Sequence, residues 1–292
     1  MDHLFTTKEE TKTLNKSNLD LLLSFFDTKE EVDIVLAGFV SEVIEDLLVN
    51  DYGIVADYLF SNLNFIDQLI RHSYDYSVCR KILQSLLFQK DSGLSYDMGE
   101  EKKEEKEFDK RILIAFDRLF LKLNTSKDNE VCSNILNLIK EAIDMEEDEK
   151  EKIEYLRVTL YSESSMNALF SFLTNVSSFR KGKQNFNLCL QTLSKLIAFY
   201  PKLSEEKEEK EEDKMQKSWL TQNFIDKIEF FKETLENQKR EKHLDTNGMD
   251  KHLLSSSRIH IIRLIIAALK LKNQPINVTL SLSQVFQTIT VD

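Results

Sequence analysis

The sequence predicts an all-α chain, on three observations. With 6 Gly and 2 Pro in 292 residues, it has few of the residues that build tight turns and bulges between strands. Apolar residues recur at i, i+3, i+4 and i+7 along most of its length, the spacing of one helix face. Short polar stretches interrupt these stripes at recurring intervals, as expected of helices joined by local connections.

Residues 1–16 are polar, with neither the apolar core of a signal peptide nor an Arg-rich, acid-poor balance. They are read as a flexible N-terminus of a chain that stays in the cytosol or nucleus. The first helix carries Leu19, Leu22, Leu23 and Phe26 behind Ser17 and Asn18 as caps. The next is the stripe from Val32 through Val35, Leu36, Phe39, Val40, Val43 and Ile44 to Leu48. The turn-forming tetrapeptide Asn50–Gly53 is expected to end it. Shorter stripes follow at Ile54–Phe60, Phe65–Ile70 and Val78–Phe88, close enough to make a group of antiparallel neighbours.

Between about 91 and 108 the apolar pattern lapses into a Glu/Lys tract, read as a charged loop. Periodicity returns at Ile112–Leu123, Val131–Ile139, Ile153–Leu160 and Met166–Val176. The stripe Phe186–Tyr200 is expected to stop at Pro201, which has no amide proton to continue a helix. A second charged loop is expected at about 202–215, before Trp219, Leu220, Phe224, Ile228 and Phe231. Arg258–Leu271 is apolar on every side of a helical wheel and should be enclosed by other helices. The Thr- and Val-rich segment Val278–Val291 is weighed as helix over strand, because a lone strand has no sheet to join. Residues 17–292 are then one helical-repeat domain, an α-solenoid of the armadillo or HEAT type with irregular repeats.

The 50 acidic and 39 basic residues leave a formal charge of −11. That charge disfavours nucleic acid or an anionic membrane as partner and suits a basic or neutral protein surface. Apolar runs are broken every few positions by charged or amide residues, so no membrane span is expected. Cys79, Cys132 and Cys189 stand singly on apolar stripes and read as buried free thiols. His3, His72, His243, His252 and His260 have no zinc-ligand spacing, and the acidic run Asp144–Glu151 lacks the pattern of a calcium loop. No phosphate-binding glycine loop or nucleophile elbow is present. The expectation is a non-enzymatic chain with no metal and no cofactor.

Several runs, taken in order, resemble one family. Leu22-Leu-Ser-Phe-Phe26 and Val35-Leu-Ala-Gly-Phe-Val-Ser-Glu-Val-Ile44 are similar to paired helices written L-x-S-F-L and L-A-S-F-F-S-K-V-L. Ile54-Val-Ala-Asp-Tyr-Leu59 and Phe65-Ile-Asp-Gln-Leu-Ile-Arg-His72 are similar to Q-x-x-D-F-L and F-V-D-L-I-I-K-H. Ser257-Arg-Ile-His-Ile-Ile-Arg-Leu-Ile-Ile266 is similar to T-R-L-x-V-I-R-L-I. The family is SAPS, regulatory subunits of the protein phosphatase 6 type of serine/threonine phosphatase. The chain resembles the N-terminal half of a short, divergent member, with Glu/Lys tracts in place of family loops. The resemblance implies a non-catalytic scaffold that binds a phosphatase catalytic subunit, and further scaffold proteins, and directs its access to substrates. A second reading is a general armadillo-like adaptor for transport or cytoskeletal cargo. Trp219, Phe224, Arg258 and Arg263 are the expected partner-binding anchors, aromatic and arginine side chains being the usual hot spots.

Overall fold

A computed structural model describes residues 5–8, 11–14, 16–88, 101–145, 159–177, 182–204, 211–237, 241–244, 250–253 and 255–290. The chain divides into two compact units, Met1–Leu138 and Ile139–Asp292, with the division falling inside one helix.

In the first unit, strands β1 (Phe5–Lys8) and β2 (Thr11–Leu14) precede α1 (Lys16–Leu23), a 3₁₀ turn (Ser24–Phe26), α2 (Ile34–Ser61), α3 (Leu63–Arg71), a π-helical stretch (Val78–Leu83), α4 (Gln84–Phe88) and α5 (Glu101–Thr125). Helix α6 (Asn129–Met145) carries the division. Asp33 is extended and its carboxylate accepts from the amides of Val35 (2.9 Å) and Leu36 (3.0 Å), which starts α2. Asn50–Gly53 does not end α2. The backbone leaves helical geometry only at Asp51 (φ −144°, ψ 48°), so the expected break is a kink. The second half of α2 is fastened by Tyr52, whose hydroxyl donates to the Leu86 carbonyl at 2.7 Å. Ala37, Ile44, Leu47, Leu48, Val55, Ala56 and Leu59 of α2 are buried, and α2 packs on α3, α4 and the π stretch. Arg118 of α5 pairs with Asp67 of α3 at 2.5 Å and donates to the Leu63 carbonyl at 3.0 Å.

In the second unit the elements are α7 (Glu163–Ser177), α8 (Lys183–Ser204), α9 (Glu211–Asp226), α10 (Ile228–Asn237), β3 (Glu241–Leu244), β4 (Asp250–Leu253), α11 (Ser256–Lys270), α12 (Gln274–Leu282) and α13 (Val285–Thr290). Helix α8 packs against α7 and, most extensively, α11. Asn187 donates to Ser256 Oγ at 2.8 Å, and one turn on Gln191 Nε2 lies 3.1 Å from His260 Nε2. The residue numbers rise together along both helices, so α8 and α11 run parallel, with α9, α10 and the β3–β4 hairpin as the crossover. Ser255 and Asn273 cap α11 and α12, and Val278–Thr290 is helical apart from a turn at Ser283 and Gln284, in line with the weighting of helix over strand.

Four expectations are corrected. Residues 101–108 belong to α5, and 211–215 to α9, rather than to charged loops; Glu and Lys are strong helix formers, and helix propensity carries each helix back beyond its apolar residues. Residues 202–204 end α8, which passes through Pro201; one missing amide removes a single bond from the last turns without ending the helix. Two antiparallel hairpins exist where no strand was read, with Phe5 opposite Leu14 and Glu241 opposite Leu253. Their four-residue strands are too short for a period-2 signal, although Thr6, Thr7, Thr11 and Thr13 supply β-branched residues to the first. Finally, α11 is not wholly enclosed: Arg263 and Ile266 reach solvent. The remainder of the expected loops (91–100, 205–210) and most of the expected helix 153–160 lie outside the described residues.

Among the described residues the helices account for nearly all the packing, and no helix is long and apolar enough to cross a membrane. The three cysteines are buried and free, and burial pushes the thiol of Cys79 up to about 12 and that of Cys132 to about 11. Neither is poised as a nucleophile.

Candidate protein-binding surface

The four anchors expected from the sequence separate into two kinds. Phe224 is fully buried in the second unit, its ring centroid 5.7 Å from that of Phe231. Arg258 is 6% exposed; its guanidinium donates to the Leu235 carbonyl (3.0 Å) near the end of α10 and to the Thr288 carbonyl (2.9 Å) near the end of α13. Both residues converge on α10 and serve the core, since the last carbonyls of a helix have no partner of their own and attract a cation. As surface anchors they are corrected. Trp219 is half-buried on α9, and Arg263 is exposed on α11. Five residues at 3.6 per turn place Arg258 and Arg263 about 140° apart, so one faces carbonyls inside while the other faces water.

Among the described residues no group of His, Cys, Asp and Glu side chains could hold a metal ion. The buried His72, 1% exposed, is fully used in structure. Its Nε2 lies 3.1 Å from the Phe26 carbonyl and 3.2 Å from that of Thr28, and carbonyls only accept, so Nε2 carries the proton. Nδ1 then accepts from the Tyr74 hydroxyl at 3.2 Å, which in turn accepts from the Val32 amide at 2.8 Å. This chain of bonds pins the loop before α2 onto the turn after α3. Burial, aided by Arg71 and Lys122, depresses the His72 pKa below the usual histidine value, against the opposing pull of the two carbonyls.

What the sequence reading missed is on α2. Its stripe reads as core, yet only one side is buried. On the other side Val35 is 66% exposed, Leu36 54%, Phe39 64% and Val43 37%, with Ile34 also in water. Val35, Phe39 and Val43 follow at i, i+4 and i+8, a continuous row spanning just over two turns. The signal was present in the sequence, because apolar residues at 34, 35, 36, 39, 40 and 43 cover more of the wheel than a single buried face needs. The exposed row then turns acidic: Glu42 and Asp46, both exposed, lie seven and eleven residues after Val35, back on its side of the helix. Glu30, Glu31 and Asp33 stand exposed just before the helix. Of the nearby cations, Lys81 pairs with Glu42 at 3.4 Å and Arg80 lies over the Tyr76 ring at 5.9 Å, while Lys29 is exposed beside Glu30, so the carboxylates outnumber the cations at both ends of the row.

No protein-family model, curated protein or solved structure matches this chain. What defines its class is therefore its own geometry: a helical chain with a large exposed apolar row on one helix, of a kind that marks interaction surfaces.

Proposed function

We propose that the chain is a non-catalytic regulatory scaffold that binds a serine/threonine phosphatase catalytic subunit, of the phosphatase 6 type, and directs its access to substrates. The observation that carries the binding role is the exposed row Val35, Phe39 and Val43 on α2. That row falls within Val35–Ile44, one of the segments whose sequence resembles the SAPS helices, and the phosphatase as partner rests on that resemblance. In this reading the helices are degenerate armadillo- or HEAT-type repeats, and the parallel pair α8 and α11 is the relation expected of equivalent helices in successive repeats. The chain works in the cytosol or nucleus, where the catalytic subunit would meet it.

Affinity purification of the tagged chain from its own cell, with mass spectrometry of stoichiometric partners, tests this. A phosphatase catalytic subunit at comparable amount is the expected result. Recovery of transport or cytoskeletal cargo without a phosphatase, from chain shown to be folded by circular dichroism, would replace the reading with that of a general adaptor.

A further inference from the structure

We infer that the exposed side of α2 over Val35–Asp46 is a docking face for an amphipathic helix of a partner protein whose apolar anchors are flanked by Lys or Arg. This deepens the reading of the chain as a binding subunit and does not depend on which protein the partner is.

Three apolar side chains in one row, two of them about two-thirds exposed, are held on a helix whose opposite side is firmly packed. The cap at Asp33 and the buried residues Ala37, Ser41 and Ile44 keep that row rigid, so a partner would pay little ordering cost to use it. A row at i, i+4 and i+8 is matched by the same row on a second helix, the helix-in-groove mode of recognition. Phe39 is the natural central anchor, the one aromatic among the three.

Charge then chooses the occupant. The row is bounded at one end by Glu30, Glu31 and Asp33, and runs at the other into Glu42 and Asp46. The Lys81–Glu42 pair is a surface ion pair, too weak to withdraw Glu42 from a competing cation. A second copy would bring the same carboxylates and a charge of −11 to the contact, whereas a Lys/Arg-flanked helix neutralises them. An anionic membrane is opposed by the same charges.

The test uses the full chain and two synthetic helical peptides of about 20 residues. Both carry Leu at i, i+4 and i+8; one is flanked by Lys and Arg, the other by Glu. Fluorescence anisotropy should show binding of the basic peptide only, weakening as salt rises from about 0.05 to 0.5 M. Phe39→Asp should weaken it by about thirtyfold or more. Val35→Asp should also weaken it, while placing a carboxylate in the first helical turn where the helix dipole favours one, so loss of fold cannot explain the result. The double variant Glu42→Lys/Asp46→Lys should shift preference toward the Glu-flanked peptide. Equal binding of both peptides, binding of neither, or full binding by Phe39→Asp would overturn the inference. So would a dimer in light scattering that Phe39→Asp splits, because the occupant would then be a second copy. The two readings fail separately. Peptide binding without phosphatase recovery leaves the docking face and removes the phosphatase; phosphatase recovery unchanged in Val35→Asp does the reverse.

Discussion

His72 and Arg258 hold the two units in the same way with different chemistry. Each is a buried side chain that donates to two main-chain carbonyls: His72 to Phe26 and Thr28, both in the one stretch before α2, and Arg258 to two separate stretches, near the ends of α10 and α13. A guanidinium is by its chemistry a permanent cation, and the two carbonyl partners of Arg258 suit one. His72 must stay neutral, because its Nδ1 is committed as an acceptor of the Tyr74 hydroxyl. The difference is that one fastening should be indifferent to acid and the other sensitive to it.

Removing the fastenings should give the largest effects. Arg258→Met loses two hydrogen bonds from a charged donor and leaves two helix-end carbonyls, one buried and one part-buried, short of partners, a cost of about 3 kcal/mol. It should be read as a lowered denaturation midpoint and as faster hydrogen exchange in α10 and α13. His72→Ala should cost about 2 kcal/mol, from the lost bonds and the void beside Phe26, with the exchange change confined to residues 26–32 and 72–75. A change spread evenly over both units in either variant would break the comparison.

The acid response follows in size. The His72 pKa lies below the unfolded value of 6.5, so just below that pH the unfolded chain binds a proton that the folded chain refuses. The stability this neutral side chain supports is complete above pH 6.5 and is lost as pH falls through the window beneath it. His260, depressed by burial and by Arg263, adds to the same slope in the second unit. Urea midpoints should fall between pH 7 and pH 5, less so in His72→Gln and least in His72→Gln/His260→Gln; an unchanged slope in the double variant would remove histidine as its cause. Arg258→Met should keep the wild-type slope.

The smallest change sharpens the picture of α2. Gly38 lies beside Ser77, the residue before the π stretch, and a methyl group there would meet only Ser77 Oγ, at an ordinary 3.8 Å. Gly38→Ala should therefore stabilise the first unit by about 0.5–1 kcal/mol, the helix-interior preference for alanine, and thermal melting would detect it. A loss of stability instead would mean that α2 and the π stretch are packed closer than they stand here.

Read by itself, the sequence determined that the chain is helical and where most helices lie, since apolar periodicity and scarce Gly and Pro are local properties. It also identified the cysteines as buried thiols, because burial follows from position on a stripe. Tertiary structure alone decided how each stripe was used. Val35, Phe39 and Ile44 belong to one apolar series, yet packing by α3, α4 and the π stretch covers only Ile44. Phe224 and Arg258 have the composition of interface anchors, and became core because Phe231 of α10 packs against the Phe224 ring and α10 and α13 end where Arg258 can reach. Periodicity records how much apolar surface a helix carries; which part meets water depends on neighbours distant in sequence, and no local pattern records them.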